Sequence, residues 1–155
     1  MAVRPLTLAP QGLASMMTPQ VGYVGAAQTF KEGAPLILSG QQLVIATTAP
    51  TAGLVALAAA DAPAVTGATF PVYVLHPGLV LEATLAGAAS AATVLAAATH
   101  FMLAVGLTLV VATGFWYADT SAATCCTIIG FRDAVGTTDA RVYIMLDGDV
   151  TIFNT

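Results

Sequence analysis

Charge is the scarcest commodity in this chain. Only 8% of its 155 residues are Asp, Glu, Lys or Arg, where an average globular protein has about 25%. Four basic side chains (Arg4, Lys31, Arg132 and Arg141) stand against eight acidic ones, for a net charge of −4. Nucleic acid is therefore disfavoured as a partner, because neutralising phosphates takes clustered cations and these four are scattered along the chain. With 57% apolar residues, disorder is disfavoured too. Charged residues supply little of the polar skin a lone soluble monomer needs. Thr, Gln, Ser and backbone groups cover some surface, and the remainder is most easily hidden in subunit interfaces or a bilayer.

Cysteine is nearly absent: Cys125 and Cys126 are the only two, and they are adjacent. Neighbours rarely bridge, since a disulfide prefers Cα atoms about 5.5 Å apart, and in a strand the two side chains point to opposite faces. Two plain thiols and a reducing compartment are expected. No secretory signal is expected either. Pro5, Pro10 and Gln11 interrupt "MAVRPLTLAPQGLAS" before it reaches an apolar core of about 7–15 residues.

The motifs of common chemistry are also wanting. There is no GxGxxG, P-loop, HExxH or GxSxG pattern. His76 and His100 have no neighbouring acid to orient them, and His76 precedes a Pro-Gly turn. Lys31 stands beside Glu32, which reads as a surface pair. Ser15, Ser39, Ser90 and Ser121 lie in loop-like contexts with no triad signature. Asp147 and Asp149 flank a glycine, but no Glu follows at calcium-loop spacing, so a tight hairpin is expected there. Asp139 and Arg141, two apart, read as a surface pair on one strand face. Neither an enzyme, a metal nor a cofactor is expected.

What is present is a run of short apolar segments cut by turn signals, the pattern of an all-β sandwich or barrel. "PLIL" ends at Ser39-Gly40, "LVIAT" at Ala49-Pro50, "LVALA" near Asp61, and "FPVYVL" at His76-Pro77-Gly78. In "LVLEATLA", Leu79, Leu81, Ala83 and Leu85 alternate with Val80, Glu82 and Thr84, which is strand period. "TCCTIIGF" leads into the polar loop "RDAVGTTD". "ARVYIML" puts Val142, Ile144 and Leu146 on one face, and "VTIF" returns after the hairpin. The Ala-rich stretch from Ala88 to Ala98 reads as one short helix or an irregular crossover. Residues 1–30, with Pro5, Pro10 and Pro19 and no clear period, read as an extended N-terminal arm ahead of a single β domain at 31–155.

From Ala83 to Ala118 no charged residue occurs, and positions 93–117 are long enough for a membrane helix. Several features oppose that reading. His100 lies inside, Gly106 and Gly114 punctuate it, Thr recurs, and no Lys or Arg flanks either end to set orientation. "LTLVVA" and "GFWYAD" read instead as two strands joined at Thr113-Gly114, with Trp116 and Tyr117 placed in the core. A small integral membrane protein is the alternative.

The order of blocks "FKEGAPLILSGQQLVIA", "ATFPVYVLHPGLVLEATLAG", "WYADTSAATCCTIIGFRDAVG" and "DARVYIMLDG", behind a Pro-interrupted apolar arm, resembles the β-rich decoration (cement) proteins of tailed-bacteriophage capsids. The resemblance spans roughly residues 28–153. It implies a structural virion protein on the outer capsid surface, assembled in the host cytoplasm, with the major capsid protein as partner and a homo-oligomer, a trimer being favoured. In such a protein an apolar arm adds contact area between subunits and gains strength from repetition about a symmetry axis. It implies capsid or subunit contacts at Arg4, Leu6, Leu8, Leu13, Met16, Met17 and Tyr23. A virion fibre or tail-associated β protein is a second reading of the same kind.

Overall fold

The computed structural model describes residues 3–9, 20–26, 28–51 and 53–148. Leu13, Met16 and Met17, and the expected returning strand "VTIF", lie outside them. The described residues form an all-β protein of two sheets.

The first sheet is built from β1 (Thr7–Leu8), β7 (Val80–Ala86), β8 (Ala104–Val110), β9 (Phe115–Asp119), β10 (Cys126–Phe131) and β11 (Arg141–Leu146). Its order is β1-β7-β11-β10-β8-β9, and β7 also pairs with β9 in parallel, from Thr84↔Tyr117 to Ala86↔Asp119. That extra pairing closes five strands into a small barrel, which leaves few free edges. Period-two alternation then fills the interior. Leu81, Ala83 and Leu85 of β7, Val105 and Leu107 of β8, Trp116 and Ala118 of β9, and Val142, Ile144 and Leu146 of β11 are all buried.

The second sheet has the order β2-β6-β5-β3-β4, from β2 (Gln20–Tyr23), β3 (Pro35–Ser39), β4 (Gln42–Ile45), β5 (Leu54–Ala58) and β6 (Thr69–Val74). A parallel bridge between Val24 and Leu43 draws its two outer strands together. The sheet therefore curls, and Gly22 fits because any Cβ there would stand 2.6 Å from the Leu43 side chain. One contiguous apolar cluster runs through both sheets, including Phe30, Leu36, Leu57 and Leu75 from one side and Leu81, Leu107 and Ile144 from the other.

The described parts of the N-terminal segment are extended and belong to these sheets. Leu8 pairs with Leu81 and Thr7 with Glu82, while Gln20–Tyr23 runs antiparallel to β6. Leu6 is 1% exposed, and Gly33 crosses it so closely that a Cβ would meet the Leu6 carbonyl at 2.5 Å. Where "LVLEATLA" predicts alternate exposure, Glu82 and Thr84 are buried as well. The N-terminal segment and Arg141 cover that outer face.

The Ala-rich stretch resolves into a 3-10 turn at Ala88–Ser90 and a single helical turn, α1 (Ala97–His100). Alanine propensity loses here because so short a helix is marginal alone, and the intervening backbone forms isolated bridges instead, Ala92 to Ala86 of β7 and Val94 to Thr138 in the loop before β11. No helix among the described residues is long and apolar enough to cross a membrane; positions 104–110 and 115–119 are barrel strands. The cysteines also depart from expectation. The strand begins at Cys126, Cys125 sits in the bend before it, and the two sulfurs are 3.6 Å apart with both side chains buried.

Candidate functional site

The most concentrated chemistry lies on the outer face of β7. Register sets Thr7 and Tyr143 on either side of Glu82, and Arg141 beside Thr84. Arg141 is 3% exposed. Its Nε donates to Glu82 Oε1 at 2.8 Å. Nη1 donates to the Pro5 carbonyl at 3.1 Å and to Thr84 Oγ1 at 3.3 Å. Nη2 donates to the Glu82 carbonyl at 3.1 Å and to Thr7 Oγ1 at 3.3 Å. Every N–H of the guanidinium is thereby used.

Glu82 also accepts from Arg132 on the solvent side. The backbone N–H of Arg4 donates to Thr84 Oγ1 at 3.2 Å. The cluster thus fastens residues 4–8 to the barrel through one buried guanidinium. Burial pulls the Arg141 guanidinium below its ordinary value, against the Glu82 hydrogen bond, while the bond to Glu82 raises that of Arg132. Above the clasp is an open cleft of about 530 Å³, onto which Arg4, Arg132 and Arg141 all face, together with Glu32, Glu82 and Tyr143.

Two of the surface pairs expected from sequence are replaced. Arg141, expected to meet Asp139 at the surface, is buried on Glu82. Lys31 pairs with Asp61 at 2.7 Å rather than with its neighbour Glu32, and that bond holds the Asp61 carboxyl below its usual range. The cations that look scattered in sequence are gathered by strand pairing. Three of the four reach one cleft.

A second polar cluster holds the other end of β7–β9. Asp119 Oδ1 accepts from the Ser121 N–H at 2.9 Å and its hydroxyl at 2.5 Å. Oδ2 accepts from Thr108 Oγ1 at 3.0 Å and from the Tyr117 hydroxyl at 3.3 Å. The Ser90 N–H in turn donates to the Tyr117 oxygen at 3.1 Å. With each carboxylate oxygen accepting two hydrogen bonds, Asp119 fastens Thr108, Tyr117 and Ser121 together. His100, buried, accepts from the Ala96 N–H through Nδ1 at 2.9 Å and closes its own helical turn. Among the described residues no group of three His, Cys, Asp or Glu is placed to hold a metal.

Of the contact residues expected from the resemblance, Arg4 is exposed, Leu6 is core, Leu8 is half-buried on β1, and Tyr23 is 54% exposed on β2. Arg4, Leu6 and Leu8 come together around the clasp; Tyr23 lies on the other sheet. The expected set omits Arg132, Arg141 and Glu82. Their signal in sequence was the scarcity of charge itself, with Glu82 the one charged residue inside an apolar strand. No protein-family model, no curated protein and no solved structure matches the chain.

Proposed function

We propose that this is a structural virion protein of the capsid-decoration kind, binding the outer surface of a phage shell as a homo-oligomer, with a trimer favoured, and contacting the major capsid protein. The observation that carries the reading is a set of apolar side chains left in solvent at one end of the second sheet. Val21 is 69%, Tyr23 54%, Leu38 48% and Val74 37% exposed, and together they rim a groove of about 240 Å³ floored by Leu43, Ala56 and Val72. Clustered exposure of this sort marks an interaction surface, and it suits a chain with too little charge to stay alone in water. The two polar clusters fasten the barrel, and with the exposed groove they support a binding role. The resemblance in block order supplies the capsid as the partner.

Co-migration tests it. Mixed with intact capsids and run on a density gradient, the protein is expected to travel with the particles at saturating, symmetry-related stoichiometry. A protein that stays at the top of the gradient at every ratio tested overturns the capsid reading.

A further inference from the structure

We propose that the cleft above the Arg141–Glu82 clasp is a binding site for a single carboxylate presented by an acidic segment of a partner protein. The argument begins with where the charge is. A chain of net charge −4 has four basic side chains, and three of them face one opening. Arg141 is spent on the clasp. Arg132 gives Glu82 one bond and keeps half its side chain in solvent. Arg4 contributes only its backbone N–H to the clasp, and its exposed side chain stands at the rim. Two guanidinium forks therefore border the cleft with donors to spare, beside the hydroxyl of Tyr143.

Counting the lining, Arg4, Arg132 and Arg141 set against Glu32 and Glu82 leave an excess of one positive charge. A monoanion balances it; a phosphate dianion overshoots it, and the two resident carboxylates repel the second charge. The planar fork of arginine matches a carboxylate in two parallel hydrogen bonds. The floor, where Arg141 and Glu82 are buried, strengthens such a bond relative to one on open surface. Like-charge repulsion among three neighbouring guanidinium groups is relieved when an anion enters, which is a gain available only on binding. The site does not depend on the capsid reading, because any partner with an exposed Glu or Asp satisfies the same chemistry.

The test is titration calorimetry of the full chain at low salt with a short glutamate-containing peptide capped by N-acetylation and C-terminal amidation, its equally capped glutamine counterpart, and inorganic phosphate. The glutamate peptide is expected to bind, the glutamine peptide to give no heat, and phosphate to bind more weakly than the glutamate peptide. Arg4→Gln removes no side-chain bond among the described residues, so it isolates the ligand contact; it and Arg132→Gln are each expected to weaken the peptide about tenfold. Lys31→Gln, which removes the one cation outside the cleft, is expected to leave affinity unchanged. Peptide binding indifferent to both arginine substitutions, or absent altogether, overturns the site. Phosphate binding tighter than the peptide overturns the carboxylate assignment. Capsid co-migration fails or succeeds separately from all of these.

Discussion

Arg141 and Glu82 stand on adjacent strands, their side chains 2.8 Å apart, 3% and 8% exposed respectively. Arg141 stands two residues before Tyr143, the partner of Glu82, and faces Thr84, so its guanidinium reaches diagonally across the ladder to the carboxylate. The same guanidinium holds Pro5 and Thr7, which fastens residues 5–7 to the outer face of β7. Removing water from a charge is expensive, and the pair is tolerable only because every donor has an acceptor.

Breaking that pair from one side is the sharpest test of the clasp. Glu82→Gln leaves the Arg141 charge buried and without its counter-ion, at an expected cost of about 3–5 kcal/mol. The double substitution Glu82→Leu with Arg141→Met is expected to cost less than Glu82→Gln alone, because no unpaired charge remains. Urea denaturation of the three proteins measures both effects. A Glu82→Gln cost of under about 1 kcal/mol, the value of an exposed pair, refutes a buried clasp.

The N-terminal segment is expected to matter for stability as well as for contacts. Leu6→Ala empties a site that is 1% exposed, and such truncations cost about 2–5 kcal/mol. Gly33→Ala strikes the same contact from the opposite side: φ is +82° and the new methyl meets the Leu6 backbone. Both variants are expected to melt lower, with heightened proteolysis of the first residues. A wild-type melting curve for either one shows that residues 3–9 are not seated on the barrel in solution.

Alkaline pH probes the Asp119 cluster. Burial raises the Tyr117 hydroxyl above its ordinary 10.0, and the Asp119 charge adds to the rise while the Ser90 N–H opposes it. The folded state thus holds this proton more tightly than the unfolded state. Its contribution is complete below the unfolded value near 10.0 and is lost as pH rises through the folded one. Unfolding free energy is expected to decline above pH about 10, with Tyr117→Phe flattening part of the decline. Parallel declines in the two proteins between about pH 9 and 12 contradict the assignment.

Much of the fold was legible because strand period is a local signal. "LVALA", "LVLEATLA" and "ARVYIML" each became a strand, and Val142, Ile144 and Leu146 share the buried face that their spacing predicts. The turn residues were equally direct: Gly40 and Gly114 sit at φ +63° and +74° where chain reversal needs them. The clasp was not legible. Glu82 and Arg141 are 59 positions apart, and only the register of β7 on β11 makes them neighbours. Nor does sequence show that residues 4–8 cover the outer face of β7, which is why Glu82 and Thr84 read as solvent-facing. The cysteines were misplaced by a single residue of strand boundary, enough to bring their sulfurs onto the same side.

The apolar end of the second sheet separates assembly from stability. Val21 and Tyr23 point outward from β2 while Gly22 between them points inward, so charges placed at 21 and 23 meet water in the monomer. Substitutions away from buried features usually change stability by less than about 0.5 kcal/mol, and Val21→Lys with Tyr23→Lys is expected to melt with the wild type. At an interface the same two charges are desolvated without partners, which costs several kcal/mol each time the contact forms. On the proposed function, the double variant is therefore expected to sediment as a smaller species than wild type and to bind capsids less. An unchanged sedimentation profile and undiminished capsid binding, in a variant that still folds, remove this groove from the assembly surface and leave the arginine cleft as the remaining contact to examine.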